Sequence, residues 1–81
     1  MRFSVLVEVS LRPGIADPQG STIERSLPTL GFDGIEEVRV GKAIRFHIEA
    51  EDEASARGRV EELCKRFLTN PVIEDFTVTL S

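Results

Sequence analysis

Phe3, Val5, Val7, Val9 and Leu11 alternate with Ser4, Leu6, Glu8 and Ser10. This period of two predicts a strand that buries the first set on one face. Arg12-Pro13-Gly14 ends it, because proline cannot donate to a sheet ladder and glycine permits the turn. Asp17-Pro18 then opens a helix: aspartate accepts the orphan N–H groups of a first turn, and proline tolerates the first helical position. Ile23, Leu27 and Leu30 follow at helical spacing, and Gly31 suits the left-handed position just past the end. Pro28 lies inside this helix and predicts a kinked last turn or an early stop.

Asp33-Gly34 marks a turn, after which Val38 and Val40 alternate with Glu37 and Arg39 as a second strand. Ile44, Phe46 and Ile48 alternate with Arg45, His47 and Glu49 as a third, and Gly41-Lys42 between the two suits a two-residue type II′ hairpin. A second helix is capped near Asp52, with Val60, Leu63, Cys64, Phe67 and Leu68 on its apolar stripe. Asn70-Pro71 stops it, and Phe76, Val78 and Leu80 alternate with Asp75, Thr77 and Thr79 in a last strand. The order βαββαβ predicts an α+β, ferredoxin-like sandwich: an antiparallel sheet with two helices on one face, forming a single domain over residues 1–81. Its open face would carry Ser4, Leu6, Glu8, Arg39, Arg45, His47, Thr77 and Thr79, a mixture suited to solvent or to a polar oligomer interface.

Eighty-one residues make a small domain with a marginal core. The usual reinforcements are missing: one cysteine cannot form an intrachain disulfide, and one cysteine with one histidine cannot complete a structural zinc site. Association is the remaining source of stability. A net charge of -4 argues against a phosphate-tracking nucleic-acid binder, and five phenylalanines without Trp or Tyr argue against an RNA stacking platform. No apolar run is long enough to cross a membrane, and alternation begins almost at Met1, so the expectation is a soluble cytoplasmic chain without a signal peptide.

Candidates for chemistry are few. Cys64 could act as a thiolate nucleophile, but it sits on the apolar stripe, where a thiol behaves as a small hydrophobe. His47 is expected on the outward face of a middle strand, with no orienting carboxylate at a defined spacing. Glu36-Glu37, Glu61-Glu62 and Glu74-Asp75 are sequence neighbours, which diverge on regular elements and form solvated faces. There is no phosphate loop. Small acylphosphatases share the βαββαβ order and use a loop arginine and an asparagine. Here Arg12 is in the right loop, but Pro13 removes a backbone donor and Asn70 is better explained by capping. What is unusual is the density of turn-forming residues in Arg12–Gly20 and Asn70–Asp75, which suits either well-made connections or rigid loops presented to a partner.

Those segments carry a resemblance. Leu11-Arg12-Pro13-Gly14-Ile15-Ala16-Asp17-Pro18-Gln19-Gly20, Leu30-Gly31-Phe32, Val38-Arg39-Val40-Gly41-Lys42 and Leu68-Thr69-Asn70-Pro71-Val72-Ile73-Glu74-Asp75-Phe76 resemble the small S subunit family of phosphoribosylformylglycinamidine synthase (PurS), in order and over essentially the whole chain. Arg12 stands where that family usually has lysine, and Pro28 interrupts a helix that is more often continuous. The resemblance implies a non-catalytic subunit, with no cofactor of its own, in a glutamine-dependent ligase of purine biosynthesis. It would act as a homodimer or homotetramer bridging a glutaminase subunit and a large synthetase subunit that holds ATP and magnesium, and would assist ammonia transfer. The expected partner-binding residues are Arg12, Pro13, Gly14, Asp17, Pro18, Gln19, Gly20, Asn70, Pro71 and Glu74. The competing reading is a ferredoxin-like module that senses amino acids, which thermal stabilisation by free amino acids would reveal.

Overall fold

The structure is a computed structural model describing residues 1–81. It is α+β: strands β1 (Arg2–Leu11), β2 (Lys42–Glu49) and β3 (Glu74–Leu80), with helices α1 (Pro18–Ser26) and α2 (Glu53–Leu63). The sheet is antiparallel in the order β2-β1-β3, so the N-terminal strand is central. Its register stacks apolar residues in rows on one face: Ile44 beside Val7 beside Val78, and Phe46 beside Val5 beside Leu80. Val5, Val7 and Val9 are buried under Val60 and Cys64 of the second helical segment, and this is the core.

Asp52 caps α2 by accepting the Ser55 N–H at 2.8 Å. Its carboxyl is held below the usual range by the Ser55 backbone N–H and then by the Ser55 hydroxyl. At the other end α2 widens into a π-turn over Cys64–Leu68, where the Thr69 N–H and hydroxyl both donate to the Cys64 carbonyl, at 3.0 and 2.8 Å. The buried stripe therefore runs Ala56, Val60, Cys64, with Leu68 packed against it. Leu63 and Phe67, expected on that stripe, lie outside it, and Phe67 is 80% exposed.

Pro28 acts as expected. Without an N–H it cannot continue the ladder, so α1 ends at Ser26 and Pro28–Leu30 form a single 3₁₀ turn, closed by Gly31 at φ 91°.

Two expectations fail in detail within this ferredoxin-like arrangement. Residues 36–41 are extended in sequence pattern but join no strand, so the sheet has three strands and His47 lies on an edge strand instead of a middle one. The type II′ hairpin at Gly41 is absent for the same reason, since Gly41 does not have the left-handed φ it requires. Gly41 is needed for space: a Cβ there would lie 2.7 Å from the Val9 carbonyl oxygen. The apolar stripe of α1 also stays outside the core, with Leu30 69% exposed and Ile23 45% exposed. The molecule is correspondingly long, 52 × 25 × 15 Å.

The stripe assignment is open to direct test. Val60→Ala, which opens a cavity against β1, is expected to cost about 2 kcal/mol in urea denaturation. Phe67→Ala, despite removing far more apolar volume, should change the stability of the isolated chain by less than about 0.5 kcal/mol.

Candidate partner-binding site

The two loops singled out in the sequence meet at one end of the sheet, where β1 ends and β3 begins. The Arg12 N–H donates to the Ile73 carbonyl at 2.8 Å. The Arg12 guanidinium donates to the Pro71 carbonyl at 2.6 Å and pairs with Asp75 at 3.3 Å. Arg12 is thus a clasp between the loops, with its donors committed to its own chain. The second loop closes on itself: Asn70 Oδ1 accepts the Val72 N–H at 3.2 Å, and the Glu74 carboxylate accepts the Asn70 N–H at 2.7 Å. Asn70 and Arg12 do not converge on an empty cradle, and the acylphosphatase reading is set aside.

Asp17 is the centre of the first loop. It is 6% exposed, and its two carboxylate oxygens take separate tasks. Oδ1 accepts the Gly20 N–H at 2.9 Å, capping α1, and Oδ2 accepts the Val40 N–H at 2.8 Å. Arg39 stands 4.0 Å from the same Oδ2 and donates to the Ile15 carbonyl at 3.1 Å. Glu24, two turns along α1, accepts the Val38 N–H at 3.0 Å. The alternate N–H groups of residues 38 and 40, which a strand neighbour would take, are therefore satisfied by carboxylates of α1 and of its N-cap. This is why the expected second strand forms no ladder. Gly20 completes the contact: any Cβ there would fall on the Val38 carbonyl oxygen. Glu24 was not among the expected site residues, and Arg39, expected on the open sheet face, instead turns to Asp17 and the Ile15 carbonyl because its segment joins no strand.

Of the expected partner-binding residues, Asp17 and Gly20 are buried and hold the loop's shape, as do Arg12, Asn70 and Glu74 through the bonds above. Pro13, Gly14, Pro18, Gln19 and Pro71 are exposed, and beside Pro71 the side chain of Val72 is 78% exposed. A cleft of about 470 Å³ runs between the first loop and the 37–39 segment, lined by Pro13, Gly14, Asp17, Ser21, Glu24 and Arg39 among others. Cys64 is fully buried, and burial followed by the charge of Glu61 pushes its thiol pKa up, away from nucleophilic use. No group of His, Cys, Asp and Glu residues is arranged to hold a metal ion.

A family model described as "PurS: Phosphoribosylformylglycinamidine (FGAM) synthase" matches residues 4–81. The chain belongs to the PurS family. The phosphoribosylformylglycinamidine synthase subunit PurS of Methanocaldococcus jannaschii is 40% identical over 76 residues, covering 94% of this chain and 92% of that one. The PurS subunit of Mycobacterium leprae is 42% identical over 74 residues, covering 91% of this chain and 90% of its own. Among solved structures, the purS subunit of Thermotoga maritima superposes with a TM-score of 0.88 at 34% identity, covering 100% of this chain and 93% of that one. A chain of the structure described as PurLQS from Thermotoga maritima superposes with a TM-score of 0.90 at 33% identity, covering 100% of this chain and 99% of that one. The D-P-Q-G and N-P-V-I-E-D segments on which the resemblance rested lie one in each of the two loops that Arg12 joins.

The N–H groups of Gly20 and then Val40 hold the Asp17 carboxyl below its usual range, while partial burial opposes them and Arg39 assists. Because the folded value is the lower one, the stabilisation is fully present above the unfolded value of about 3.9 and is lost as pH falls through the folded one. Asp17→Ala should lower the melting temperature at pH 7 more than Asp52→Ala, since Asp17 ties down one local and one distant backbone group and Asp52 only a local one. It should also flatten the acid side of the stability profile and speed hydrogen exchange at the Val40 amide.

Proposed function

We propose that this chain is the non-catalytic small subunit of a phosphoribosylformylglycinamidine synthase, bridging a glutaminase subunit and an ATP-dependent synthetase subunit and assisting ammonia transfer in purine biosynthesis. PurS-family membership over residues 4–81 carries the reading. The site supports it. Within the two loops the ionisable side chains are bonded internally, and what remains exposed is a shaped surface of Pro13, Gly14, Pro18, Gln19 and Pro71. Such a surface binds without reacting. ATP, magnesium and the reacting ribonucleotide are then held by the partner subunits.

The chain would work as a homodimer. Within one chain α2 covers the helical side of the sheet, and Ile44, Phe46 and Ile48 of edge strand β2 remain only half-buried. Ile23, Leu30, Phe32 and Ile35 are exposed on α1 and the segment after it. One surface lacks a helix and the other lacks a sheet, so a second copy satisfies both reciprocally, as an isologous two-fold contact requires.

Two experiments test this. Added to the glutaminase and synthetase subunits, the chain should restore glutamine-dependent product formation while leaving the ammonia-dependent rate nearly unchanged. Gln19→Ala should weaken that restoration at limiting concentrations without altering the melting temperature. If the chain alters neither rate, the assignment fails. Light scattering at micromolar concentration should give twice the mass of one chain, and Ile23→Glu should halve it. A monomeric mass for the unaltered chain would exclude the dimer.

A further inference from the structure

The open face of the sheet, opposite α2, takes no part in the clasp or in the apolar surfaces assigned to the dimer. It holds a shallow cavity of about 430 Å³ whose lining includes Ser4, Leu6, Arg45, His47, Thr79 and Ser81. The register explains the grouping. His47 faces Ser4 across the β2–β1 pair, and Arg45 faces Leu6, which faces Thr79 on its other side. Ser4 and Ser81 exchange backbone hydrogen bonds at 2.9 and 3.0 Å, which brings the last residue into the first row. The result is two short rows, with Arg45 and His47 on one flank, hydroxyls on the other and a leucine between them.

Arg45 and His47 have no partner within the chain. Arg12, Arg39, Arg57, Arg59 and Arg66 each donate to a carbonyl or carboxylate of this chain, whereas the side chains of Arg2, Arg25 and Arg45 do not. Neither Arg45 nor His47 makes a side-chain hydrogen bond, and neither enters any of the ion pairs of the molecule, including one with the carboxyl end of Ser81 at the cavity margin. The chain is acidic, with 14 Asp and Glu against 10 Lys and Arg, yet no Asp or Glu side chain lines this cavity. Glu8, the nearest on this face along β1, belongs to the adjacent hollow with Lys42 and Thr77. Arg45 and His47 project from one face of the same strand two residues apart, about 7 Å, a gap that one oxyanion can span with a charge-assisted hydrogen bond to each.

We infer that this face binds a small organic anion, a carboxylate or a phosphate ester. Its charged group sits between Arg45 and His47, its apolar body lies on Leu6, and its remaining polar atoms meet the Ser4 and Thr79 hydroxyls. The site is complete on one chain, so it is tested independently of the subunit's role in the complex. Inorganic phosphate and acetate, titrated separately at constant ionic strength into the full chain, are the probes, with backbone amide shifts as the readout. Saturable shifts confined to Ser4, Leu6, Arg45, His47, Thr79 and Ser81 with either probe are expected, and the tighter probe fixes the class of anion. Arg45→Gln and His47→Gln should each weaken binding about ten-fold or more, whereas Arg25→Gln on α1 should leave it unchanged. Shifts that are absent, do not saturate, or persist equally in both variants overturn the proposal.

Discussion

The divided carboxylate of Asp17 is the constraint on which the rest of the arrangement depends. One oxygen starts a helix, and the other holds a segment more than twenty positions away in sequence, at Val40. A single acidic side chain thereby sets where α1 points and where the chain returns to the sheet. The neighbouring bonds extend the same restraint: Glu24 fixes Val38, Arg39 fixes Ile15, and Arg12 fixes Pro71 and Asp75. Taken together they convert three loops into one rigid corner. Hydrogen bonds to a charged acceptor are stronger than those between neutral groups, which suits a region with little apolar surface to bury.

Much of this architecture was legible in the residue pattern, and the exceptions have a common cause. The alternation in Phe3–Leu11, Ile44–Ile48 and Phe76–Leu80 identifies the three strands that form, and Pro28 and Gly31 mark where α1 ends. Alternation around Val38 and Val40 predicts a strand that does not form, because periodicity reports only which side chains share a face. It is silent on what takes the backbone N–H groups, and here that partner is a pair of carboxylates instead of a strand. Phe67 falls outside the expected stripe because a helical wheel assumes constant pitch, which the π-turn at Cys64–Leu68 breaks, whereas Leu63, still on the regular helix, lies at the exposed margin of the Ala56–Val60–Cys64 stripe. The candidate site was half legible. Turn-forming residues located both loops, but nothing in their composition distinguishes Gly20, which makes room for a carbonyl, from the exposed Gln19 beside it.

The division between shape and display follows from the same bonds. Residues that brace the corner are withdrawn from solvent or tied up, and the ones they display are prolines, a glycine and a glutamine, which have few side-chain rotamers to lose or, for glutamine, both donor and acceptor groups to offer. Preorganisation of this kind lowers the entropic cost of association. It also couples the display to the braces: an altered brace moves every displayed residue at once.

Strand β2 has one hydrogen-bonded neighbour, β1, leaving the other side of an eight-residue strand open. Open edges template pairing between unrelated chains, and the charged side chains of Lys42, Arg45 and Glu49 along this one oppose that by solvation and repulsion. The protection is partial, since Ile44, Phe46 and Ile48 alternate with them. A copy made in excess of its companions is then an orphan with a weak core and a sticky margin, the profile that cellular proteases clear. The bare edge thus gives an unassembled copy a route to mispairing that assembly would close.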